Sequence, residues 1–232
     1  MSMGSRQFCS HNRRASILVL AFLVTACGPS PLWDQPARDQ HIVRSGETLF
    51  TIAFRYGKDH RDLARWNKLG DGSLIYPGQV IRLTGSPATT SSRSTRPASR
   101  PLPDIKSQPS PPWAWPTSGR IVAEFDGGPG TGTGLVIGGK AGQTVRAAAG
   151  GRVVYSGGGL IGYGQLIIVK HNDTYLSAYG HNASLLVREG DNIKKGQRIA
   201  TMGEGPGQEP QLHFEIRRNG KPVNPRQYLP AR

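Results

Sequence analysis

Two imidazoles stand inside runs that read as β-strand, and imidazole is well suited to bind a metal or carry a proton near neutral pH. His181 closes the run Tyr175 to His181, and His213 sits in Gln211-Leu212-His213-Phe214-Glu215. Side chains alternate along a strand with a period of two, so Gln211, His213 and Glu215 share a face. By the same rule Tyr175, Ser177, Tyr179 and His181 point one way, and Leu176, Ala178 and Gly180 the other. A metal centre needs several converging donors, yet no histidine lies between His60 and His171. The plainer reading of His181 and His213 is that they are hydrogen-bonded residues lining a groove.

Short strands must hold these residues. Arg152 to Tyr155, Gln165 to Lys170 and Tyr175 to His181 read as three in series, the last returning antiparallel. His171-Asn172-Asp173 is expected to turn because Asn and Asp tolerate left-handed backbone angles. Ile121 to Phe125, Leu135 to Ile137, Gln143 to Ala147, Ile199 to Met202 and Gln211 to Arg217 read as further strands. Asp126 to Gly134 is mostly glycine and is expected to be a mobile loop. The expected fold is mostly β, an antiparallel sheet curled around a groove.

Several motifs recur in a fixed order: Ala149-Gly150-Gly151-Arg152-Val153, Gly162-Tyr163-Gly164, Tyr179-Gly180-His181, the turn from Gly190 to Gln197, and Leu212-His213-Phe214-Glu215. On these motifs Trp113 to Tyr228 resembles the LytM or lysostaphin-like zinc metallopeptidases, which cut peptidoglycan cross-bridges. The resemblance implies zinc held by a His-x-x-x-Asp pair and the second His of a His-x-His, with water in the fourth position. Here the pair falls on Gly132 and Val136, and the His-x-His reads Gln211-Leu212-His213. His213 survives as a ligand, His181 survives on the catalytic face, and Gln211 stands where the family has a general base. Asp126 reaches the site only after a loop shift. The resemblance therefore implies a degenerate peptidase domain, non-catalytic and without metal or other cofactor. Its groove, with Gly132, Val136, His181, Gln211, His213 and Glu215, is expected to bind a partner.

The front half carries a second pattern. His41-Ile42-Val43 reads as a strand, and Thr48 is expected to cap a helix with Leu49, Ile52, Ala53 and Tyr56 on its apolar face. Asp59 is expected to cap a second helix carrying Leu63, Ala64 and Trp66. Tyr76-Pro77-Gly78-Gln79 suits a type II turn before a closing strand, Val80 to Leu83. This βααβ order, with Gly46-Glu47-Thr48-Leu49, Asn67-Lys68-Leu69 and Pro77-Gly78-Gln79-Val80-Ile81-Arg82-Leu83, resembles a LysM domain. The resemblance implies peptidoglycan binding through N-acetylglucosamine, in a shallow groove between Gly46, Glu47, Thr48 and Leu74, Ile75, Tyr76. The alternative for Ile75 and Tyr76 is a place in a small core.

Arg13 and Arg14 precede an apolar run, Ile17 to Val24, too short to span a bilayer as a mature helix. It reads as a signal peptide. Val24-Thr25-Ala26-Cys27 resembles a lipobox, which implies cleavage before Cys27 and lipidation of that residue. The alternative is an ordinary signal cut near Ala26. Gly28 after the cysteine favours the periplasmic face of the outer membrane over retention at the inner one. The expected organisation is a signal peptide over 1–26, a tether over 27–40, a LysM unit over 41–84, a Pro/Ser/Thr/Arg-rich linker over 85–112 and the LytM-like domain over 113–232. The linker composition cannot offset the entropy of ordering.

The formal charge is +14, and removing residues 1–26, with three arginines and no acid, lowers it to +11. A basic exported chain suits carboxylate-bearing peptidoglycan or anionic lipid. No nucleic-acid motif appears. The two cysteines, Cys9 and Cys27, do not read as a structural disulfide. Both halves together resemble the NlpD-type lipoproteins, which implies activation of an N-acetylmuramoyl-L-alanine amidase by displacing an inhibitory segment from the amidase's own site. An endopeptidase with an atypical site and a structural tether between outer membrane and wall are the alternatives.

Overall fold

The computed structural model describes residues 39–70, 74–85 and 108–232. The signal sequence, Cys27, the tether up to residue 38 and linker residues 86–107 lie outside the described residues.

The first module is a β-α-α-β unit. β1 (Gln40–Ile42) pairs antiparallel with β2 (Val80–Arg82), placing His41 opposite Ile81. Between them lie α1 (Leu49–Arg55) and α2 (His60–Trp66). Thr48 caps α1 in a reciprocal capping box with Thr51, and Asp59 accepts the Arg61 N–H at 2.8 Å to cap α2. The turn before β2 is as expected: Gln79 N–H donates to Tyr76 O at 3.0 Å, and Gly78 takes φ +87°. Val43, Leu49, Ile52, Ala53, Leu63, Ala64, Ile81 and Leu83 form the core. Tyr56 does not belong to it. It lies beyond the last turn of α1, is 39% exposed, and bonds His41 Nδ1 at 3.1 Å. The second apolar stripe of α1 is Phe50 and Phe54, one helical turn apart, and it packs elsewhere.

The second module is a ten-stranded sheet. Its strands are β3 (Ile121–Ala123), β4 (Leu135–Gly138), β5 (Thr144–Arg146), β6 (Gly151–Gly157), β7 (Gln165–Lys170), β8 (Tyr175–Leu185), β9 (Asn192–Ile193), β10 (Arg198–Met202), β11 (Gln211–Arg218) and β12 (Lys221–Val223). The main path runs β3-β4-β11-β8-β7-β6-β9, with β12 on β11 and β10 bridging β8 and β5. All pairings are antiparallel, and the three strands in series are neighbours as expected. One face carries the main core, including Leu135, Ile137, Ile167, Tyr179, Leu212 and Phe214. The opposite face carries the groove and a smaller cluster of Leu160, Leu166, Ile168 and Ala178, to which the first module contributes Phe54.

Local geometry differs from expectation at two turns. Asn172 and Asp173 keep negative φ; the turn is made by the Asn172 side chain, whose Oδ1 accepts the N–H groups of Thr174 and Tyr175, each at 2.9 Å. The glycine-rich loop folds into a turn of 3₁₀-helix, Gly130–Thr133, and Asp126 and Gly127 both donate to Gly132 O. Residues 108–110 also bind the second module, with Gln108 N–H on Thr174 Oγ1 and the Asn172 amide on Pro109 O.

Candidate functional site

The floor of the groove is the outward face of β11: His213, Glu215 and Arg217 alternate with Leu212, Phe214 and Ile216, which enter the core. Glu215 is fully buried and collects every nearby donor. His213 Nε2 (2.9 Å), Thr133 Oγ1 (2.6 Å) and the Tyr163 hydroxyl (2.8 Å) converge on Oε1, and Arg217 Nε donates to Oε2 at 2.6 Å. Burial by itself would raise the Glu215 pKa. The Arg217 guanidinium and the His213 hydrogen bond outweigh it and hold the carboxyl at about 2. The Tyr163 hydroxyl is pushed well above its ordinary value by burial and by the Glu215 carboxylate, so it stays a donor.

His181 reaches this floor by a route that strand alternation does not allow. It is not the end of β8, and it does not share a face with Tyr175, Ser177 and Tyr179. Those three point to the core side, where the Tyr179 ring packs tilted against Phe214 and its hydroxyl accepts from Ser177 Oγ and the Ala148 N–H. At His181 the backbone takes φ +60°, and the β7–β8 register slips between Gln165 and Ile167. The bulge turns the imidazole outward, 6.1 Å from the His213 ring. Its backbone N–H donates to Tyr163 O at 2.8 Å, which fixes the bulge. Burial and then the neighbouring His213 lower the His181 pKa, so the ring is neutral at pH 7. A pocket of about 300 Å³ opens over the two rings, lined also by Arg55, Thr133, Tyr163 and Arg217.

The other expected groove residues are dispersed. Val136 lies opposite His213 in the β4–β11 register and is buried. Gln211 leans over Gly205 and lines a separate depression with Lys140 and Glu209. Gly132 faces Asp126: a Cβ there would fall 2.1 Å from Asp126 Oδ1. The sequence did not single out Thr133 and Arg217, although Arg217 has the same strand parity as His213 and Glu215.

Zinc does not fit these residues. The buried His213 Nδ1 has no hydrogen-bond partner, as a metal-ligand atom would. Yet Gly132 and Val136 offer no donor, and among the described residues no group of three His, Cys, Asp or Glu is placed to hold a metal.

In the first module, Leu74 and Tyr76 are 63% and 60% exposed, and Ile75 packs half-buried on the core. Gly46 takes φ +80°, and Thr48 is spent on the α1 cap. The Glu47 carboxylate is committed to His41, the Arg44 N–H and Arg55. Burial raises its pKa, but these three partners together hold it below the ordinary value.

Residues 41–84 match the LysM domain, and residues 130–225 match peptidase family M23. The chain is 43% identical to a Pseudomonas aeruginosa protein named lipoprotein NlpD/LppB homolog, over 83% of this chain and 77% of that one. It is 36% identical to the murein hydrolase activator NlpD of Escherichia coli, over 83% of this chain and 68% of that one. Among solved structures, Csd3 of Helicobacter pylori aligns with 52% of this chain and 33% of its own, at 29% identity and a TM-score of 0.46.

Proposed function

Because this chain belongs to the NlpD family of lipoproteins, whose members include murein hydrolase activators, we propose that it binds peptidoglycan and activates an N-acetylmuramoyl-L-alanine amidase without cutting the wall itself. The observation that carries this reading is the composition of the groove floor. Glycine and valine stand at two of the three positions where the peptidase relatives carry ligands, and the remaining carboxylate is saturated by Arg217, His213, Thr133 and Tyr163. Such a floor can present shape and hydrogen bonds to a protein segment, but it has no means of activating water by a metal.

The LysM unit supplies the wall contact, for which the exposed Leu74 and Tyr76 are available. Lipid on Cys27 anchors the protein on the periplasmic face of the outer membrane; two or more acyl chains give lasting attachment where one does not. The net basic charge adds a salt-sensitive attraction to wall carboxylates.

Dye release from labelled peptidoglycan tests this. The protein alone should release nothing, and it should stimulate a cognate amidase from the same bacterium. Release by the protein alone, lost on His213→Ala, would restore the peptidase reading. No stimulation of any of the host's amidases would leave only a tether.

A further inference from the structure

The first module does more than sit beside the groove. Phe54 of α1 is 2% exposed, yet it contributes nothing to its own module's core. Its ring enters the shelf of Leu160, Leu166, Ile168 and Ala178 on the outward face of the sheet. The Arg217 guanidinium lies 3.4 Å above the centre of that ring and donates to the Phe54 main-chain carbonyl. Tyr163 meets the same ring edge-on at 5.6 Å between centroids. Arg61 pairs with Asp173 at the border of the contact. In this arrangement His213, Glu215 and Arg217 are at most 2% exposed. α1 thus covers the Arg217 end of the groove floor, while the pocket over His181 and His213 stays open beside it.

We propose that the shelf beside Arg217 is the amidase-docking surface, and that α1 occupies it in cis as a stand-in for the partner. The claim rests on the activator reading above. The seated segment defines the chemistry of its competitor: an aromatic side chain at the end of a short helix, with a main-chain carbonyl that can also accept from a guanidinium. At the helix C-terminus that carbonyl accepts only a 3.2 Å turn bond from the Gly57 N–H, so its second lone pair is open to the guanidinium. The arginine receives both parts at once, the ring through a cation–π contact and the carbonyl through a charge-assisted hydrogen bond. Leu74 and Tyr76 remain exposed while α1 is docked, so the closed state can still engage the wall. Apparent affinity for the partner is reduced by the fraction of molecules that are closed.

The test uses the full chain with Phe54→Ser, and Arg61→Asp as a surface change that weakens the same contact. Wall pull-down reports that the LysM unit is still folded, and dye release by a cognate amidase is the readout. Phe54→Ser should lower the concentration for half-maximal stimulation by about tenfold, the factor given by about 1.4 kcal/mol. Arg61→Asp should act in the same direction and less strongly. Leu160→Asp, which spoils the shelf itself, should abolish stimulation. A Phe54→Ser protein that stimulates no better than wild type, or worse, overturns the proposal. If neither wild type nor variant stimulates, the activator reading falls and this one with it.

Discussion

Val136 stands directly opposite His213 across β4 and β11, and the Nδ1 atom of that buried imidazole has no hydrogen-bond partner. Valine fits the space but gives the nitrogen nothing to bond.

Replacing it tests how far the groove has left metal chemistry. Val136→Asp places a carboxylate where only 3% of the side chain is exposed. It should destabilise the domain by about 2–3 kcal/mol in urea unfolding at pH 7, because His213 Nδ1 opposite it offsets only part of the cost of burying a charge. Elemental analysis should find no stoichiometric zinc in the wild type or in this variant. One tightly held zinc per chain in the wild type would refute a metal-free groove.

Acid should weaken the protein over two pH windows. Burial lowers the His171 pKa from 6.5 to about 4, against the hydrogen bond to Gly150 O. Glu215 sits at about 2 instead of 4.5. Both groups lie below their ordinary values, so the unfolded chain binds more protons and stability is lost as pH is lowered. The His171 contribution is present above pH 6.5 and is lost as pH falls toward 4. The Glu215 contribution is present above pH 4.5 and is lost toward pH 2. Between pH 7 and 5, His171 should account for a loss of about 2 kcal/mol. Urea midpoints for His171→Gln should show a much shallower slope over that window, with the remainder from His181 and His60, which are shifted the same way. An unchanged slope would exclude His171 as the cause.

Glycan contact is assigned to the exposed pair of the first module. Leu74→Ala with Tyr76→Ala should reduce retention on insoluble peptidoglycan by about tenfold, the equivalent of about 1.4 kcal/mol, and leave the thermal midpoint unchanged because neither side chain is buried. Retention that disappears equally with salt in both proteins would mean that charge, and not the module, holds the wall.

Membrane attachment is assigned to one sulfur. Cys27→Ser should abolish acyl labelling and release the protein from the membrane fraction, and labelling that survives would exclude the lipobox.

The sequence was most legible where structure is set within four residues. Thr48, Asp59 and the Pro77-Gly78 turn did what their chemistry requires, because a cap or a turn is satisfied by its immediate neighbours. The order of the central strands was legible for a related reason: glycine and polar residues separate apolar runs at short intervals.

What was hidden depends on contacts distant along the chain. His181 is turned by a bulge whose N–H donates to the Tyr163 carbonyl, and a period of two carries no trace of it. Phe54 looked like one more apolar residue on α1. Its four-residue spacing from Phe50, off the Leu49–Ile52–Ala53 stripe, was the available signal that α1 has two buried faces. Arg217 could be read as an exposed basic residue until Glu215 and Phe54 came together around it.

The carboxylate of Asp126 lies where a side chain at position 132 would begin. It is the far end of an exposed side chain, so a histidine at 132 would push it aside at the cost of its hydrogen bond from the Gly128 N–H. That histidine alone would still lack the second and third donors of a zinc site, and an aspartate at 136 alone would be a buried carboxylate with no metal to hold. Each single step back toward hydrolysis therefore carries a cost with no activity to select for.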